Sequence, residues 1–535
     1  MANNLGQPTV GAADNQTDKR ANALAQDFAR DLIFLRSRRD KRVKRLSKKE
    51  TLHVTTAGAT VSEIYETIRN ASENADESLL LQHAIRRFLR RTFLVNNLTN
   101  VAEDLVTDLT LARYLRNDSI ALETLAKINR LTTEFAQLRL RLLKKFSHET
   151  ADRWTLEPLS AQIEIELRGE TDVAAVIDLA KAYFARAIDT EQLLHTEQPR
   201  DYDITLFIAV AKIIVKQDEP MIRQNLLERY EISRQHAVSF AEFNYQLDQI
   251  FASDTLAKIS HVVDRHGAVF RIITETVAGD KKITEHVLNE KQFLGPFDAA
   301  ISNTYAAVRR NVNRGIVRSV VFLIITKFVI GIAAEVPFDL LINHHVVWRA
   351  LIINLLLPPL YMIALRFTLL MPNLRNRRAL TRQVSRILYA PVPTKSFLGA
   401  SPMRRFSSIY NFIYSLFVVA IFVGVTWLLI TFASFEWLHL LIFFVFISTA
   451  SFLGFRLSRQ IRNIEIGAES QTSLTLLRDL IYMPFVAVGR RISEAYSRVN
   501  IVSRLLDTLV ELPLKTVLGF LRRWGNFLSA KRDEF

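Results

Sequence analysis

The sequence predicts an all-α protein with a helical cytoplasmic N-terminal domain, a four-helix transmembrane domain and C-terminal amphipathic helices. Three observations favour this class. Glycine (16) and proline (14) are scarce among 535 residues, whereas β-rich folds use both in their turns. Four apolar segments follow residue 315, each near the ~20 residues that cross a hydrocarbon core. Before them, apolar side chains recur at the 3.6-residue period of a helix.

The first 56 residues are predicted to form a basic, partly disordered arm. Leu24, Phe28 and Leu32 stand at helical spacing, and nine Lys and Arg between residues 36 and 49 then accompany one acid, Asp40. Such a run is either a solvated tail or a contact with anionic lipid, which contributes about 1 kcal/mol per basic residue near the surface. The candidate lipid contacts are Arg36, Arg38, Arg39, Lys41, Arg42, Lys44 and Arg45.

Residues 57–300 are predicted to be the helical cytoplasmic domain. ESLLLQHAIRRFLRRTFLVNNL and DITLFIAVAKIIVKQ show the helical period, and VNRGIVRSV indicates that the last helix runs directly into the first span. His261 and Asp264 would share one helix face. They suit either a divalent cation or ordinary surface hydrogen bonds.

Residues 301–456 form the predicted membrane domain, with spans at about 319–342, 346–371, 409–432 and 437–455. The connection between the second and third spans holds eight Lys and Arg and no acid, whereas the connections at 343–345 and 433–436 hold neither Lys nor Arg. Because positive residues stay inside during insertion, we expect both termini and the middle connection to be cytoplasmic.

The charge balance supports a membrane rather than a nucleic-acid partner. The net charge is +15, yet residues 301–535 hold 28 Lys and Arg against 11 Asp and Glu, and residues 1–300 hold 41 against 43. The excess therefore flanks the spans, where anionic lipid attracts it. Because cysteine is absent, disulfides and thiolate metal sites are excluded.

The first span carries Lys327, Glu335 and Asp339. Folding the first two spans about the turn at 343–345 brings Asp339 to the level of Arg349, which predicts an ion pair, and Lys327 to the level of Tyr361. Lys327 and Glu335 have two interpretations. Charges near helix-breaking prolines are typical of ion or substrate sites, and buried polar groups also hold helices together in a bundle.

The C-terminal region, residues 457–535, is predicted to be amphipathic and helical. An apolar stripe runs from Ile501 to Leu528, with Arg522 and Arg523 off it as candidate lipid contacts. Three arrangements suit this pattern: a helix along the membrane surface, pairing between helices, or packing onto the cytoplasmic domain.

Two segments, YETIRNASENADESLLLQHAIRRFLRR (65–91) and PFVAVGRRISEAYSRVNIVSRLLDTLVELPLKTV (484–517), resemble an uncharacterised family of bacterial multi-pass membrane proteins. The resemblance implies the bacterial cytoplasmic membrane and no mechanism.

Phosphate-loop, dinucleotide, nucleophile-elbow and zinc-protease motifs are absent from the sequence, so we expect neither an enzyme nor a cofactor. The first hypothesis is a membrane-anchored scaffold or assembly protein that binds a cytoplasmic partner or self-associates as a homo-oligomer. The alternative is an oligomeric channel or transporter subunit lined by Lys327, Glu335 and Asp339.

Overall fold

The computed structural model describes residues 20–46, 50–54, 66, 79–95, 100–169, 171–194, 201–342, 344–369, 371–391, 398, 407–466 and 473–499. Nearly all of these residues are helical, and the only β-structure among them is three isolated bridges. The prediction of an all-α protein is confirmed.

The helices before residue 290 share one large apolar core, and we call this part the main body. Its helices are α1 (Ala23–Leu46), α2 (Leu80–Val95), α3 (Val101–Leu111), α4 (Leu122–Leu142), α5 (His148–Arg168), α6 (Val173–Ala187), α7 (Thr190–Leu194), α8 (Tyr202–Ile213), α9 (Glu219–Arg229), α10 (Ala237–Phe251), α11 (Asp254–His266), α12 (Ala268–Gly279) and α13 (Ile283–His286).

A single long helix joins the main body to the apolar segments. It comprises α14 (Glu290–Ile330), a π-helical turn (Gly331–Glu335) and α15 (Val336–Ile342). The side chain of Asn289 caps its first turn by accepting from the backbone N–H groups of the next residues. Phe293 and Phe297 are buried in the core of the main body, and Leu323 is buried in a second apolar cluster further along. The predicted continuity into the first span is confirmed.

The remaining helices are α16 (Trp348–Thr368), α17 (Leu374–Tyr389), α18 (Ser407–Ala433), α19 (Trp437–Arg462) and α20 (Ser473–Val499). The long helix, α16, α18 and α19 are each long and apolar enough to cross a membrane, which is consistent with an integral membrane protein. We call these four helices the span bundle. Many of their large apolar side chains are exposed, as suits a surface that faces lipid.

The connection between the second and third spans contributes to the main body. Its helix α17 buries Leu380, Val384 and Leu388 in the large core, while its arginines 375, 378, 382 and 386 lie on the opposite, exposed face. The Asn22 side chain donates to the carbonyl oxygens of Ile387 (2.8 Å) and Ala390 (2.7 Å). Within residues 371–391, the middle connection is therefore part of the body rather than a free loop.

The arm predicted at residues 1–56 differs from the structure. Helix α1 buries Leu24, Phe28 and Leu32 in the main body, because its apolar face completes the core. Residues 1–19 lie outside the described part of the chain.

Three of the expected lipid contacts on α1 are engaged inside the main body. Arg36 pairs with Asp172 at 2.8 Å and donates to the carbonyl of Lys281 at 2.7 Å. Arg39 binds Asp172, and Arg42 binds Glu166. The first span begins about 40 Å along the long helix from Glu290, at ~1.5 Å per helical residue.

The other expected lipid contacts are distributed as follows. Arg38, Lys41 and Lys44 are exposed on α1. The side chain of Arg45 and the residues Arg522 and Arg523 lie outside the described part of the chain, as does the apolar stripe from 501 to 528.

Helix α20 packs against the span bundle. The ring of Phe485 lies 5.1 Å from that of Phe422 and 6.5 Å from that of Phe444, measured between centroids. Gly489 touches α19 so closely that a Cβ atom there would stand 2.2 Å from the carbonyl oxygen of Ser448. This contact between helix backbones needs a residue without a side chain.

We predict that Gly489→Ala destabilises the folded chain by about 1–3 kcal/mol, because the added methyl group forces α20 away from α19. The unfolding midpoint in detergent measures the loss. Gly424→Ala on α18 is the matched control, since a Cβ atom there meets nothing within 4 Å. Equal midpoints for the two variants would mean that α20 does not pack on α19 at this glycine.

A candidate functional site in the span bundle

Five polar side chains from three helices meet inside the span bundle, and we call them the buried polar cluster. Lys327, Glu335 and Asp339 come from the long helix, Asn354 from α16 and His439 from α19. Each is at most 2% exposed. They are the groups whose partners decide what this region can do, because unpaired polar groups are costly in an apolar surrounding.

The π-helical turn places two of the charges on one face. Pro337 has no N–H group to donate to the preceding turn, and the helix there opens into the wider π geometry over Gly331–Glu335. A π-helical turn contains one residue more than a regular turn. Lys327 and Glu335, which are eight residues apart, are therefore separated by close to two full turns, and their side chains lie on the same face of the helix. The ammonium of Lys327 and Glu335 Oε1 form an ion pair.

Neighbouring helices complete the surroundings of this pair. Asn354 Nδ2 donates to Glu335 Oε1 and to the carbonyl oxygen of His439, both at 3.2 Å. The Lys327 ammonium lies 4.9 Å from the centroid of the Phe446 ring, a distance that suits a cation–π contact. The ion pair thus connects three helices.

Asp339 has different partners from the one that its depth predicts. Its Oδ2 accepts from the backbone N–H of Val347 at 2.8 Å, and its Oδ1 lies 3.3 Å from His439 Nε2. Arg349, the expected partner, is exposed. The predicted depth of Asp339 agrees with this contact, since Val347 lies two residues from Arg349. The Arg349 side chain itself is exposed, whereas Asp339 is buried.

Tyr361 also has a different partner from the one its level predicts. Its hydroxyl accepts from the Ser451 hydroxyl at 3.0 Å, whereas the Lys327 ammonium binds Glu335.

Some atoms of the cluster have no hydrogen-bond partner among the described residues. They are Glu335 Oε2, Asp339 Oδ1, Asn354 Oδ1 and His439 Nε2. Sequence reasoning missed Asn354 and His439, although both are polar residues inside apolar spans. His439 stands three residues after the turn at 433–436, on the side of the bundle where Asp339 lies.

The candidate metal pair in the main body does not assemble a metal site. Asp264 binds Arg271 at 2.5 Å and lies 3.9 Å from Arg459, so its carboxylate has cationic partners already. The described residues contain no group of three or more His, Cys, Asp or Glu arranged to hold a metal ion.

Comparisons with protein-family models, with curated proteins and with solved structures find no match to this chain.

We predict that Lys327→Met destabilises the fold by about 3–5 kcal/mol, because it leaves the Glu335 carboxylate buried without its cation. The double variant Lys327→Met/Glu335→Gln should regain most of this loss, since no net charge stays behind. Unfolding midpoints in detergent measure both effects.

Arg349→Met is the control, and its exposed side chain should change the free energy of unfolding by no more than about 0.5 kcal/mol. A double variant as unstable as Lys327→Met would show that the charges of Lys327 and Glu335 do not compensate each other.

Proposed function

We propose that this protein is a membrane-anchored helical scaffold, whose main body lies on the cytoplasmic side and binds a partner protein or a second copy of the chain. The observation that carries the proposal is that the charged pair of the buried polar cluster is shielded from solvent. Lys327 and Glu335 neutralise each other and their side chains are each 1% exposed. A cluster of this kind fastens helices together, whereas a conduction path needs charges that water or an ion reaches.

The rigid connection between the two parts of the chain also supports a scaffold. The long helix is continuous from Glu290 to Ile342, and Arg271 of the main body donates to the carbonyl of Asn463 (2.6 Å), directly after α19. In addition, the Asn376 side chain on α17 donates to the Tyr305 hydroxyl (2.6 Å) on the long helix. These contacts hold the body in a defined position on its anchor.

A groove suited to a partner lies between the long helix and α17. This groove of about 650 Å³ is lined by Asp298 and Leu374 together with Arg377, Arg378 and Arg382. Arg377 is bound by Asp298, and Arg378 and Arg382 are exposed on α17. We infer that a partner surface carrying acidic groups docks here.

We infer that the exposed arginines at the inner ends of the spans face anionic lipid and set the orientation, with both termini cytoplasmic. They are Arg309, Arg310, Arg314, Arg318, Arg456, Arg459 and Arg462. Each would contribute about 1 kcal/mol near an anionic surface. Their position beside the spans suits this contact better than that of Arg36 and Arg39, which bind Asp172.

The second candidate function is an ion channel or transporter subunit. The π-helical turn and the four unpartnered polar atoms favour it, because π turns are frequent at functional sites and unsatisfied groups are where a ligand gains contacts. Conduction would require the cluster to open or several copies to form a shared path.

We predict that the full chain in liposomes gives no flux of monovalent cations, anions or protons above that of empty liposomes. The physical reason is that Lys327 and Glu335 are buried and compensate each other's charges. Fluorescent indicators of internal pH and ion content measure the flux. In parallel, the particle mass in nanodiscs gives the number of copies per assembly.

The matched variants are Lys327→Leu and Glu335→Gln, with Arg349→Gln as the control at an exposed position. Flux through the wild type that is lost in both cluster variants and kept in the control would overturn the scaffold proposal in favour of the channel.

A further inference from the structure

The last turn of α16 carries an arginine, Arg366, whose side chain reaches the long helix. Its Nε donates to the side-chain oxygen of Asn313 at 2.9 Å. Among the described residues, no carboxylate pairs with Arg366 and no group accepts from its two Nη atoms. The amide of Asn313 therefore fixes the guanidinium at the junction of the two helices and leaves its outer N–H groups for another acceptor.

Two further arginines lie beside this junction. Arg309 and Arg310 precede Asn313 by one turn of the long helix, about 5 Å nearer the main body, and both are exposed. The long helix contains no Asp or Glu between Asp298 and Glu335, and α16 contains none at all. The positive charge at the junction is therefore not compensated by an acid from either helix.

The surface on the other side of the junction is apolar. One turn away from Asn313 and Arg366, towards the connection at 343–345, lie Val317 and Ile363, which are 63% and 42% exposed. An exposed apolar surface thus directly follows a cationic one. This order suits a molecule in which a phosphate group is attached to hydrocarbon chains.

We propose that Arg366, with Arg309 and Arg310 beside it, binds the phosphate of an anionic phospholipid whose acyl chains cover Val317 and Ile363. A guanidinium group presents paired N–H donors that match the oxygens of a phosphate. An acidic protein surface or a free phosphate ion suits the site less well, because neither would cover the apolar side chains one turn away. The inference rests on the orientation proposed above for the arginines at the inner ends of the spans, and it does not depend on partner binding by the main body.

The test measures how tightly the full chain in detergent binds phosphatidylglycerol, which is anionic, and phosphatidylcholine, which has no net charge. Native mass spectrometry at increasing lipid concentration counts the lipids that the chain retains. We expect the wild type to bind phosphatidylglycerol about tenfold more tightly. Arg366→Gln and the double variant Arg309→Gln/Arg310→Gln should each lower this preference by about fivefold. Arg349→Gln is the matched control, because it removes an exposed arginine at the other end of α16.

Several results would overturn the proposal. One is equal binding of the two lipids by the wild type, and another is a preference that Arg366→Gln retains. Displacement of phosphatidylglycerol by an equal concentration of inorganic phosphate would show that the site takes a free anion instead. If Arg366→Gln does not fold, the double variant decides, since Arg309 and Arg310 are exposed.

The control separates a failure of this site from a failure of the proposed orientation. A preference that is lost in Arg349→Gln alone would place the anionic lipid at the opposite end of α16 and would overturn the orientation together with the site. A preference that all the variants keep would overturn the site only. The scaffold proposal is judged separately, by the flux and the number of copies per assembly.

Discussion

The ion pair between Lys327 and Glu335 is the interaction on which the arrangement of the span bundle depends. A lysine near the middle of an apolar helix costs about 3 kcal/mol on insertion scales, so it needs a partner at its own depth. The partner comes from the same helix, and the π-helical turn between the two residues brings it into line. Asn354 then ties the pair to α16 and to the backbone of α19. The contacts that satisfy the Lys327–Glu335 pair therefore also hold the long helix, α16 and α19 together.

The long helix, which carries both members of this ion pair, also connects the span bundle to the main body. Because α14 is continuous, the position of Phe293 and Phe297 in the large core fixes the direction in which the first span leaves it. Helix α17 returns from the second span into that core, and its buried leucines prevent the body from rotating about the long helix. Two separate connections are needed for such a fixed position, since one helix alone would leave rotation free.

The sequence alone predicted most of the architecture and little of the site. The helices and the four candidate spans could be predicted because apolar periodicity and segment length are local features of the sequence, which depend little on tertiary contacts. The depth of Asp339 followed from antiparallel pairing, as the contact with Val347 shows. Its partner did not follow, because depth says nothing about which way Arg349 points around its helix. His439 and Asn354 were missed because the sequence does not show which neutral polar residues of one span lie beside the charged groups of another.

The division of the bundle into a polar and an apolar half bears on its function. The cluster occupies the half near the two turns, whereas Leu323, Met362 and Leu365 with Leu457 fill the half that adjoins the main body. Leu457 lies against Gly315 and Leu365 against Gly454, so side chains fill the space between these helices. A path for ions would have to displace these side chains and hydrate an apolar cluster, in addition to separating Lys327 from Glu335. A brace needs neither change. The buried polar cluster therefore lies at the end of the bundle near the two turns, and packed apolar side chains separate it from the main body.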